Sequence, residues 1–363
     1  MSEAAALHFA QTYAQARGKF LAAAAAAGLT VESQAHPLAG RDGEALALDV
    51  ARFGAADAQS LLMISSACHG VEGFCGSGVQ HALLTDQSWH AELAKSGVAV
   101  LYLHALNPHG FSFWRRVTNE GVDLNRNFHD FSQALPNNSA YDELAPYLIP
   151  PTWPPTPENE AHIGAYMARH GDKGFQAVVS GGQHKHPLGL FFGGTAPTWS
   201  NDTFRKVLSQ HAKQCQRLGW IDVHTGLGPS GHGEIIYAGR DDAAGITLAR
   251  QWWGDKVTST YDGSSSSAPL TGLMCAAVYD ECPQAQYTGM ALEFGTLPTL
   301  EVIAALRADH WLQSNPQAPP AQHSALKQQM RDAFYTDTPQ WKQQIIEQGL
   351  AAARAALRGL AAS

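Results

Sequence analysis

The sequence predicts an α/β fold, because short apolar runs alternate with helical patterns along the chain. Strands are expected at residues 44–53, 60–66 and 98–103, and a helix is expected between the last two at residues 76–84. Further apolar runs that would extend the same sheet occupy residues 177–179, 220–223 and 289–292. This alternation is typical of a sheet that is covered by helices.

Polar residues stand at or just beyond four of the predicted strand ends: His69, Asn107, His224 and Glu293. Open α/β sheets bind their ligands at the carboxyl ends of their strands. The sequence therefore predicts a ligand site at this edge of the sheet.

Helices that serve packing are expected near both ends of the chain. Before Gly28, apolar residues recur at steps of four and three: Phe9, Tyr13, Ala16, Phe20 and Ala24. Near residue 338, Thr338 and Pro339 form a helix start. The apolar face that follows consists of Ile346, Leu350, Ala353, Leu357 and Leu360.

We expect a cytoplasmic protein without a membrane anchor. The basic residues Arg17 and Lys19, with the alanine run at 22–27, start too late for an export signal. A membrane-spanning helix needs about twenty consecutive apolar residues, and the sequence has no such run.

The composition favours small substrates. The chain has 363 residues, is 45% hydrophobic and carries a formal net charge of −8 without long runs of one sign. These values argue against nucleic acid or an anionic membrane as the main partner and leave small molecules or peptides.

The five cysteines form neither a disulfide scaffold nor a cysteine zinc site, because their number is odd and no CxxC spacing occurs. Cys68 adjoins His69, but neighbouring residues of a strand point to opposite faces. We therefore interpret Cys68 as a buried thiol.

Residues 131–200 are predicted to be a long insertion, because prolines crowd its first part and glycine pairs follow at 181–182 and 193–194. A proline-rich loop of this length is expected to lie against the body of the enzyme or to act as a lid. Its segment 182–187 either approaches the site or forms a surface turn.

His69, Glu72 and His224 are the candidate metal ligands. Two histidines and one carboxylate suffice for a catalytic zinc, which keeps one position for water. The loop would supply His69 and Glu72 together, and the folded sheet would bring His224. Asp222 or Asp123 can hold the second nitrogen of a histidine, although either can equally cap or pair elsewhere.

Glu293 is the candidate general base. It stands in the apolar run Met290-Ala291-Leu292-Glu293-Phe294-Gly295, where a buried charge requires a reason. A carboxylate across the pocket from the metal can take a proton from water and pass it to the leaving nitrogen. The alternative is an ion pair with an arginine at the strand end.

Arg115 and Arg126 are the candidate anion-binding residues, and Asn125 can add a hydrogen bond. A fixed guanidinium can stabilise the negative oxygen of the tetrahedral intermediate, and a second can hold a substrate carboxylate. Arg116 follows Arg115 directly, and we expect it to point away into a structural salt bridge.

The order of these motifs resembles the zinc metallocarboxypeptidase family. It looks closest to an uncharacterised bacterial branch, a domain of unknown function, in the superfamily that also holds succinylglutamate desuccinylase and aspartoacylase. The matching motifs, within residues 64–296, are His69-Gly70-Val71-Glu72, Asn107-Pro108-His109-Gly110, Trp114-Arg115, Gly121-Val122-Asp123-Leu124-Asn125-Arg126-Asn127-Phe128, His224 and Glu293.

The resemblance implies a single catalytic domain over residues 1–363, with a central mixed, mainly parallel sheet flanked by helices. It implies that one zinc ion binds to His69, Glu72 and His224 and that Glu293 is the general base. It further implies that Arg115 polarises the scissile carbonyl, while Asn125 and Arg126 hold a substrate carboxylate.

Two features depart from the digestive members of that family. The stretch between Arg115 and Asn125 looks shorter, and no motif distinguishes which of Tyr261, Tyr279 and Tyr287 corresponds to the family's mobile tyrosine. If the insertion narrows the cleft, small N-acyl amino acids or short peptides are favoured over proteins.

The leading hypothesis is a zinc-dependent exopeptidase that cleaves an amide or peptide bond next to a free carboxylate. The second is a small-molecule deacylase of the desuccinylase or aspartoacylase kind. The third, a non-catalytic module that binds zinc or a ligand, leaves Glu293 without a purpose.

Overall fold

One seven-stranded sheet forms the centre of residues 2–362, the part of the chain that the computed structural model describes. Its strands, numbered in chain order, are β1 Val31–Ala39, β2 Ala45–Phe53, β3 Ser60–Ser65, β4 Ala99–His104, β5 Arg217–Ser230, β6 Gly233–Tyr237 and β7 Gln286–Gly295. They lie side by side in the order β1-β2-β4-β3-β5-β7-β6.

The sheet is mixed, with a parallel centre. Strands β4, β3, β5 and β7 run parallel to one another, while β1 and β2 pair antiparallel at one side and β6 pairs antiparallel with β7 at the other. The carboxyl ends of the four central strands consequently meet at one edge, which confirms the predicted α/β class and is the geometry that places a ligand site there.

Thirteen helices flank the sheet within residues 2–362. They are α1 Ser2–Ala6, α2 Tyr13–Ala26, α3 Gly73–Thr85, α4 Gln87–Ser96, α5 Pro108–Ser112, α6 Ser139–Leu148, α7 Pro157–Ser180, α8 Trp199–His211, α9 Ala243–Trp253, α10 Cys275–Glu281, α11 Thr299–Ser314, α12 Pro320–Phe334 and α13 Pro339–Ala361.

Both faces of the sheet are buried because side chains alternate along each strand. On β3, Leu62 and Ile64 join the core beneath α2, α3 and α13. Leu61 and Met63 point the other way, into the core beneath α8 and α10. A third core cluster joins α6 and α7 to α11 and α12. Strands buried on both faces read as continuous apolar runs, which is why β3, β4, β5 and β7 were visible in the sequence.

The terminal helices lie where the sequence places them. Thr12 caps α2 by accepting a hydrogen bond from Gln15, and Gly28 follows the helix with a left-handed φ of 73°. Thr338 caps α13, and Pro339 is its first residue, where a missing N–H costs nothing. Both helices bury their apolar face against the sheet.

The expectation that residues 177–179 form a strand is wrong, because they are the last full turn of α7. Of these three apolar residues only Val179 is buried, as on one face of a helix. A run of three apolar residues has too few positions to distinguish a strand from a helix.

The proline-rich segment 131–200 contains two helices, α6 and α7, rather than the expected loop. Apart from Pro146, which lies inside α6, its prolines suit this structure: Pro157 is the first residue of α7, with Thr156 as its cap. Pro150, Pro151, Pro154 and Pro155 lie between the helices. The segment packs its apolar side chains on α11 and α12.

All five cysteines are buried and free, in line with the interpretation of Cys68 as a buried thiol. In the described part of the chain, no helix is long and apolar enough to cross a membrane.

Candidate metal centre

The first two candidate ligands come from the turn that follows β3. The chain leaves the strand through Ala67, whose φ of 56° lies in the left-handed region, and enters a short 3₁₀ turn at Gly70–Glu72. Gly70 is required there, because a Cβ at this position would lie 2.1 Å from the carbonyl carbon of Gly110. The turn places the side chains of His69 and Glu72 on the same side.

The third candidate ligand lies on the neighbouring strand of the sheet. His224 is on β5, which pairs in parallel with β3 on one side and with β7 on the other. In the pairing with β7, His224 stands directly beside Glu293. The sheet therefore brings the third ligand and the candidate base to the same edge as the His69 turn.

The three side chains converge through one atom each. The Nδ1 atoms of His69 and His224 lie 3.2 Å apart. The Glu72 carboxylate contacts both rings, at 3.0 Å from His69 Nδ1 and 3.2 Å from His224 Nδ1. All three residues are buried, and they can hold a metal ion together, because their ligand atoms lie within 4.8 Å of one another.

The outer nitrogen of each histidine faces a carboxylate. His224 Nε2 lies 2.7 Å from Asp222, and His69 Nε2 lies 3.2 Å from Asp123. Nδ1 of each ring faces the cluster, and a carboxylate on the outer nitrogen is the usual support of a metal-binding histidine. His69 Nε2 also lies 2.8 Å from Arg116 Nη2. The sequence left the partners of both aspartates open, and the structure brings both to the histidines.

The ligand cluster favours ionised carboxylates. Burial raises the pKa of Glu72, but His69, His224 and Arg116 together outweigh it and hold that pKa below its ordinary value. Burial likewise raises the pKa of Asp123, and Arg116 with His69 and Arg126 brings it well below the ordinary value. Both groups are thus anionic at neutral pH, as metal binding requires.

A second set of potential ligands, Cys68, Asp222 and His224, shares one histidine with the first. It fits a metal less well, because a thiol binds as the thiolate and burial raises the pKa of Cys68 well above its ordinary value. The Cys68 Sγ lies 3.1 Å from Met274 Sδ, and Asp222 already occupies His224 Nε2.

Glu293 faces the same cavity as the ligands. The backbone N–H of Leu227 donates a 3.1 Å hydrogen bond to its Oε1. Burial, followed by the nearby negative charge of Glu72, raises the pKa of Glu293 to about 8. A bound cation would favour the charged form and lower this pKa. No ion pair with an arginine at the strand end occurs among the described residues.

The two adjacent arginines lie opposite to the expectation. Arg115 is the one that points away, with its Nε 3.1 Å from Asp309, which also receives a hydrogen bond from Lys327. Arg116 lines the cavity: its Nη1 donates to Glu72 at 2.9 Å and its Nε donates to Asp123 at 2.9 Å. The two arginines lie in an irregular segment after Trp114, whose φ is 52°, and the sequence did not reveal which of the pair faces the site.

Asn125 and Arg126 also line the cavity. The Asn125 side-chain oxygen accepts a hydrogen bond from the N–H of Met274. Arg126 donates from Nε and Nη2 to the carbonyl of Ser180 and from Nη1 to the carbonyl of Asn125. Burial lowers the pKa of Arg126 to about 10, so the guanidinium remains charged at neutral pH.

Asn107, the remaining strand-end residue, has a structural place. Its side-chain oxygen accepts from the N–H of Gly110 and caps α5, and its amide donates to the carbonyl of Arg116. It therefore holds the backbone of the segment that carries Arg116, and among the described residues it does not line the cavity.

The cavity between these residues has a volume of about 140 Å³. Of the three tyrosines considered, Tyr261 lines it, while Tyr279 and Tyr287 do not. Tyr261 is 43% exposed and donates a hydrogen bond to the carbonyl of Gly239. Of the three, Tyr261 is thus the one that lines the cavity, which Tyr237 of β6 also lines.

The proline-rich segment 131–200 reaches the site, mostly through residues that the sequence analysis did not single out. Ser180 and Phe191 line the cavity, and the ring of Phe191 lies 5.1 Å from the Arg116 guanidinium and 5.6 Å from that of Arg126. His184 is not among the described residues that line the cavity, and its Nδ1 forms a hydrogen bond with the carbonyl oxygen of Gly194. Phe191 has a left-handed φ of 53°, which is uncommon for an aromatic residue. Nothing in the sequence around Phe191 indicates this conformation.

The profile of one protein family, described as a protein of unknown function (DUF2817), matches residues 9–348. The chain belongs to the DUF2817 family. This result confirms the expected place in a branch of unknown function, and the match spans the sheet, the candidate ligands and the first part of α13. No curated protein matches the DUF2817 chain.

Solved structures share the fold of this DUF2817 protein. The carboxypeptidase A of Helicoverpa armigera has 13% identical residues and a TM-score of 0.54, over 97% of this chain and 74% of the other. A bovine thrombin-activatable fibrinolysis inhibitor has 12% identity and a TM-score of 0.46, over 90% and 97% of the two chains. At this identity the similarity shows the fold alone. That conclusion rests on the Helicoverpa armigera structure.

Proposed function

We propose that the protein is a zinc-dependent hydrolase that cleaves an amide or peptide bond next to a free carboxylate. The observation that carries the proposal is the convergence of His69 Nδ1, His224 Nδ1 and the Glu72 carboxylate in a buried cluster beside Glu293. The carboxypeptidase A fold of a solved structure supports it. A module that only bound a ligand would not require the carboxylate of Glu293 in the same cavity.

Zinc suits this set of ligands. Two imidazoles and one carboxylate are a common ligand set for catalytic zinc, and the carboxylates of Asp123 and Asp222 orient the rings. When bound, the metal would make a water more acidic and polarise a carbonyl oxygen. With three protein ligands, a tetrahedral zinc would keep its fourth position for water.

Glu293 is assigned the proton transfers. Its carboxylate accepts a proton from the attacking water and delivers it to the nitrogen that leaves. The hydrogen bond from Leu227 fixes one of its oxygens and leaves the other for water. Its surroundings, which resist a permanent charge, suit a group that alternates between the two protonation states.

Arg116 fits the role that the sequence assigned to Arg115. A guanidinium beside the ligand cluster can donate to the negative oxygen that develops on the scissile carbonyl. Arg116 is held by Asp123 and Glu72 and faces the cavity, whereas Arg115 is engaged by Asp309. Burial lowers the pKa of Arg116, but Asp123 and Glu72 outweigh this effect and raise it.

Arg126 and Asn125 are assigned the substrate carboxylate. A guanidinium has five N–H donors, and three of them in Arg126 are used by the carbonyls of Ser180 and Asn125. The remaining two can bind a carboxylate in the cavity. These backbone contacts fix the guanidinium in advance, which reduces the entropy lost on binding.

Replacing Arg126 by alanine is expected to remove the preference for a free carboxylate. The wild type should cleave an N-acyl amino acid or a peptide with a free C terminus faster than its carboxamide, by about 10- to 100-fold, because a charge-assisted hydrogen bond is lost in the amide. In Arg126→Ala, kcat/KM for the two substrates should converge, while zinc content is unchanged. The control is Arg169→Ala, an exposed arginine paired with Glu143 on the surface.

The substrate pairs include C-terminal peptides and N-acyl amino acids, so that peptidase and deacylase activities are separated. A wild type that cleaves carboxamides as fast as carboxylates would contradict the assignment of Arg126. Cleavage of only the N-acyl amino acids would favour the deacylase over the exopeptidase.

Replacing Asp222 by asparagine is expected to weaken zinc binding by about 10- to 100-fold, the range for a group that orients a metal-binding histidine. The amide keeps the shape and can still bond Ser65, but it lacks the charge that holds the His224 proton. Competition with a chromophoric chelator measures the affinity. Asp202→Asn, at an exposed position of α8, should bind zinc like the wild type, and an unchanged affinity in Asp222→Asn would argue against Nδ1 of His224 as a ligand.

A further inference from the structure

The cavity has an apolar wall, made of residues to which no role has been assigned so far. Helix α11 contributes Val302, Ile303 and Leu306, and α12 contributes Phe334. These side chains are buried and belong to one core cluster. They line the cavity without forming any part of the ligand set or of the candidate anion site.

This wall lies beside the segment that follows His224, and it shares the cavity with Glu293. The hydroxyl of Thr225 donates a 2.7 Å hydrogen bond to the carbonyl of Phe334. A Cβ on Gly226 would lie 2.9 Å from the Phe334 ring and 3.7 Å from Val302. Glycine at position 226, with a φ of 125°, therefore leaves room between the wall and the reacting centre.

A different set of residues surrounds Asn125 and Arg126. Met274 donates its N–H to Asn125, and Gly272 is packed so closely that a Cβ there would lie 2.4 Å from the carbonyl oxygen of Arg126. A substrate whose carboxylate binds at Arg126 and whose amide lies at Glu293 would thus extend its acyl group toward the α11 and α12 wall.

The charges of the cavity indicate what that acyl group is. Among the described lining residues, the acidic side chains are Asp222 and Glu293, and Asp222 is already bonded to His224 and Ser65. The basic ones apart from the histidines are Arg116 and Arg126. Beyond these residues, the described lining of the cavity offers no cation for an acidic acyl group, and no carboxylate other than the assigned base for the ammonium of a dipeptide.

We infer that the enzyme acts on amino acids that carry a neutral, apolar N-acyl group, which packs on Val302, Ile303, Leu306 and Phe334. This inference rests on the proposed function and narrows its substrate class. In the reaction, the oxygen of water joins the acyl carbon, the C–N bond breaks, and the proton goes to the nitrogen. The products are an apolar carboxylic acid and a free amino acid.

The test compares phenylalanine substrates that differ only in the acyl group: N-acetyl, N-hexanoyl and N-succinyl, with norleucyl-phenylalanine as the form with a free ammonium. With the zinc-loaded full chain, kcat/KM should rise by about two- to fourfold for each methylene between acetyl and hexanoyl, the effect of burying a CH₂ group. The succinyl compound and the dipeptide should be slower than the hexanoyl compound.

Variants of α11 locate the effect. Val302→Ala should lose about tenfold on the hexanoyl substrate and little on the acetyl substrate, because a smaller wall matters only to the longer chain. Leu300→Ala is the matched control, since Leu300 lies on the same helix, is 54% exposed and does not line the cavity. Calorimetric binding of the same compounds to Glu293→Gln reports the preference without turnover.

The outcomes separate the two proposals. If the zinc-loaded protein hydrolyses none of the four compounds and none of the C-terminal peptides tested for Arg126, the proposed function fails. If they are hydrolysed but the succinyl compound or the dipeptide is preferred, or Val302→Ala and Leu300→Ala behave alike, only the apolar acyl subsite is overturned.

Discussion

Replacing Glu293 by glutamine is expected to lower kcat by about 100- to 10,000-fold, the range for loss of a positioned general base. Glutamine keeps the size of the side chain and can still accept the hydrogen bond from Leu227, but it cannot take a proton from water. Zinc content should remain that of the wild type, because Glu293 is not one of the three proposed ligands. The measurement is steady-state hydrolysis together with metal analysis of the same sample.

Glu347→Gln provides the matched control for this prediction. Glu347 lies on α13, is exposed and accepts a hydrogen bond from Gln343, so the same chemical change is made far from the cavity. Its activity should equal that of the wild type. A Glu293→Gln protein that retains full activity would refute the assigned base, and an inactive one that has also lost its zinc would shift Glu293 to the ligand set.

Removing a histidine of the cluster is expected to abolish activity by loss of the metal. In His69→Ala or His224→Ala, one of three ligands is absent, and zinc affinity should fall by more than about 100-fold, which is the upper end for loss of a residue that merely supports a ligand. Activity should fall with zinc occupancy. Added zinc should restore it only at concentrations far above those that saturate the wild type.

The control for these variants is His323→Ala, at an exposed position of α12. Circular dichroism of each variant shows whether the fold persists, because His69 and His224 are buried and contact charged neighbours. If folded His69→Ala and His224→Ala proteins bind zinc as tightly as His323→Ala does, the ligand assignment is wrong.

The error at Arg115 and Arg116 has a simple physical origin. The motif locates two arginines near the site, but they lie in an irregular segment whose side-chain directions follow no sequence period. Which one faces the site depends on partners far along the chain: Asp309 on α11 engages Arg115, while Glu72 and Asp123 engage Arg116. These partners are fixed by helix packing, which local sequence does not encode.

The second error, at residues 177–179, has a related origin. A short apolar run fits both a strand and the buried face of a helix. In the structure it lies in the part of α7 that follows a break at Gly171, where φ is 71°. The same helix carries Ser180, whose carbonyl holds Arg126. A region interpreted as an insertion therefore supplies part of the wall of the site.

The sequence by itself predicted the class of the fold, most of the central strands, and His69, Glu72, His224 and Glu293 as candidate residues, which the structure brings to one edge of the sheet. It did so because buried parallel strands are continuous apolar runs and because polar residues at their ends stand out against them. Only the tertiary structure decided which nitrogen of each histidine faces the cluster, which arginine lines the cavity and where the apolar wall of α11 and α12 lies. Those features arise from contacts between segments distant in sequence, whose geometry is set when the helices pack on the sheet.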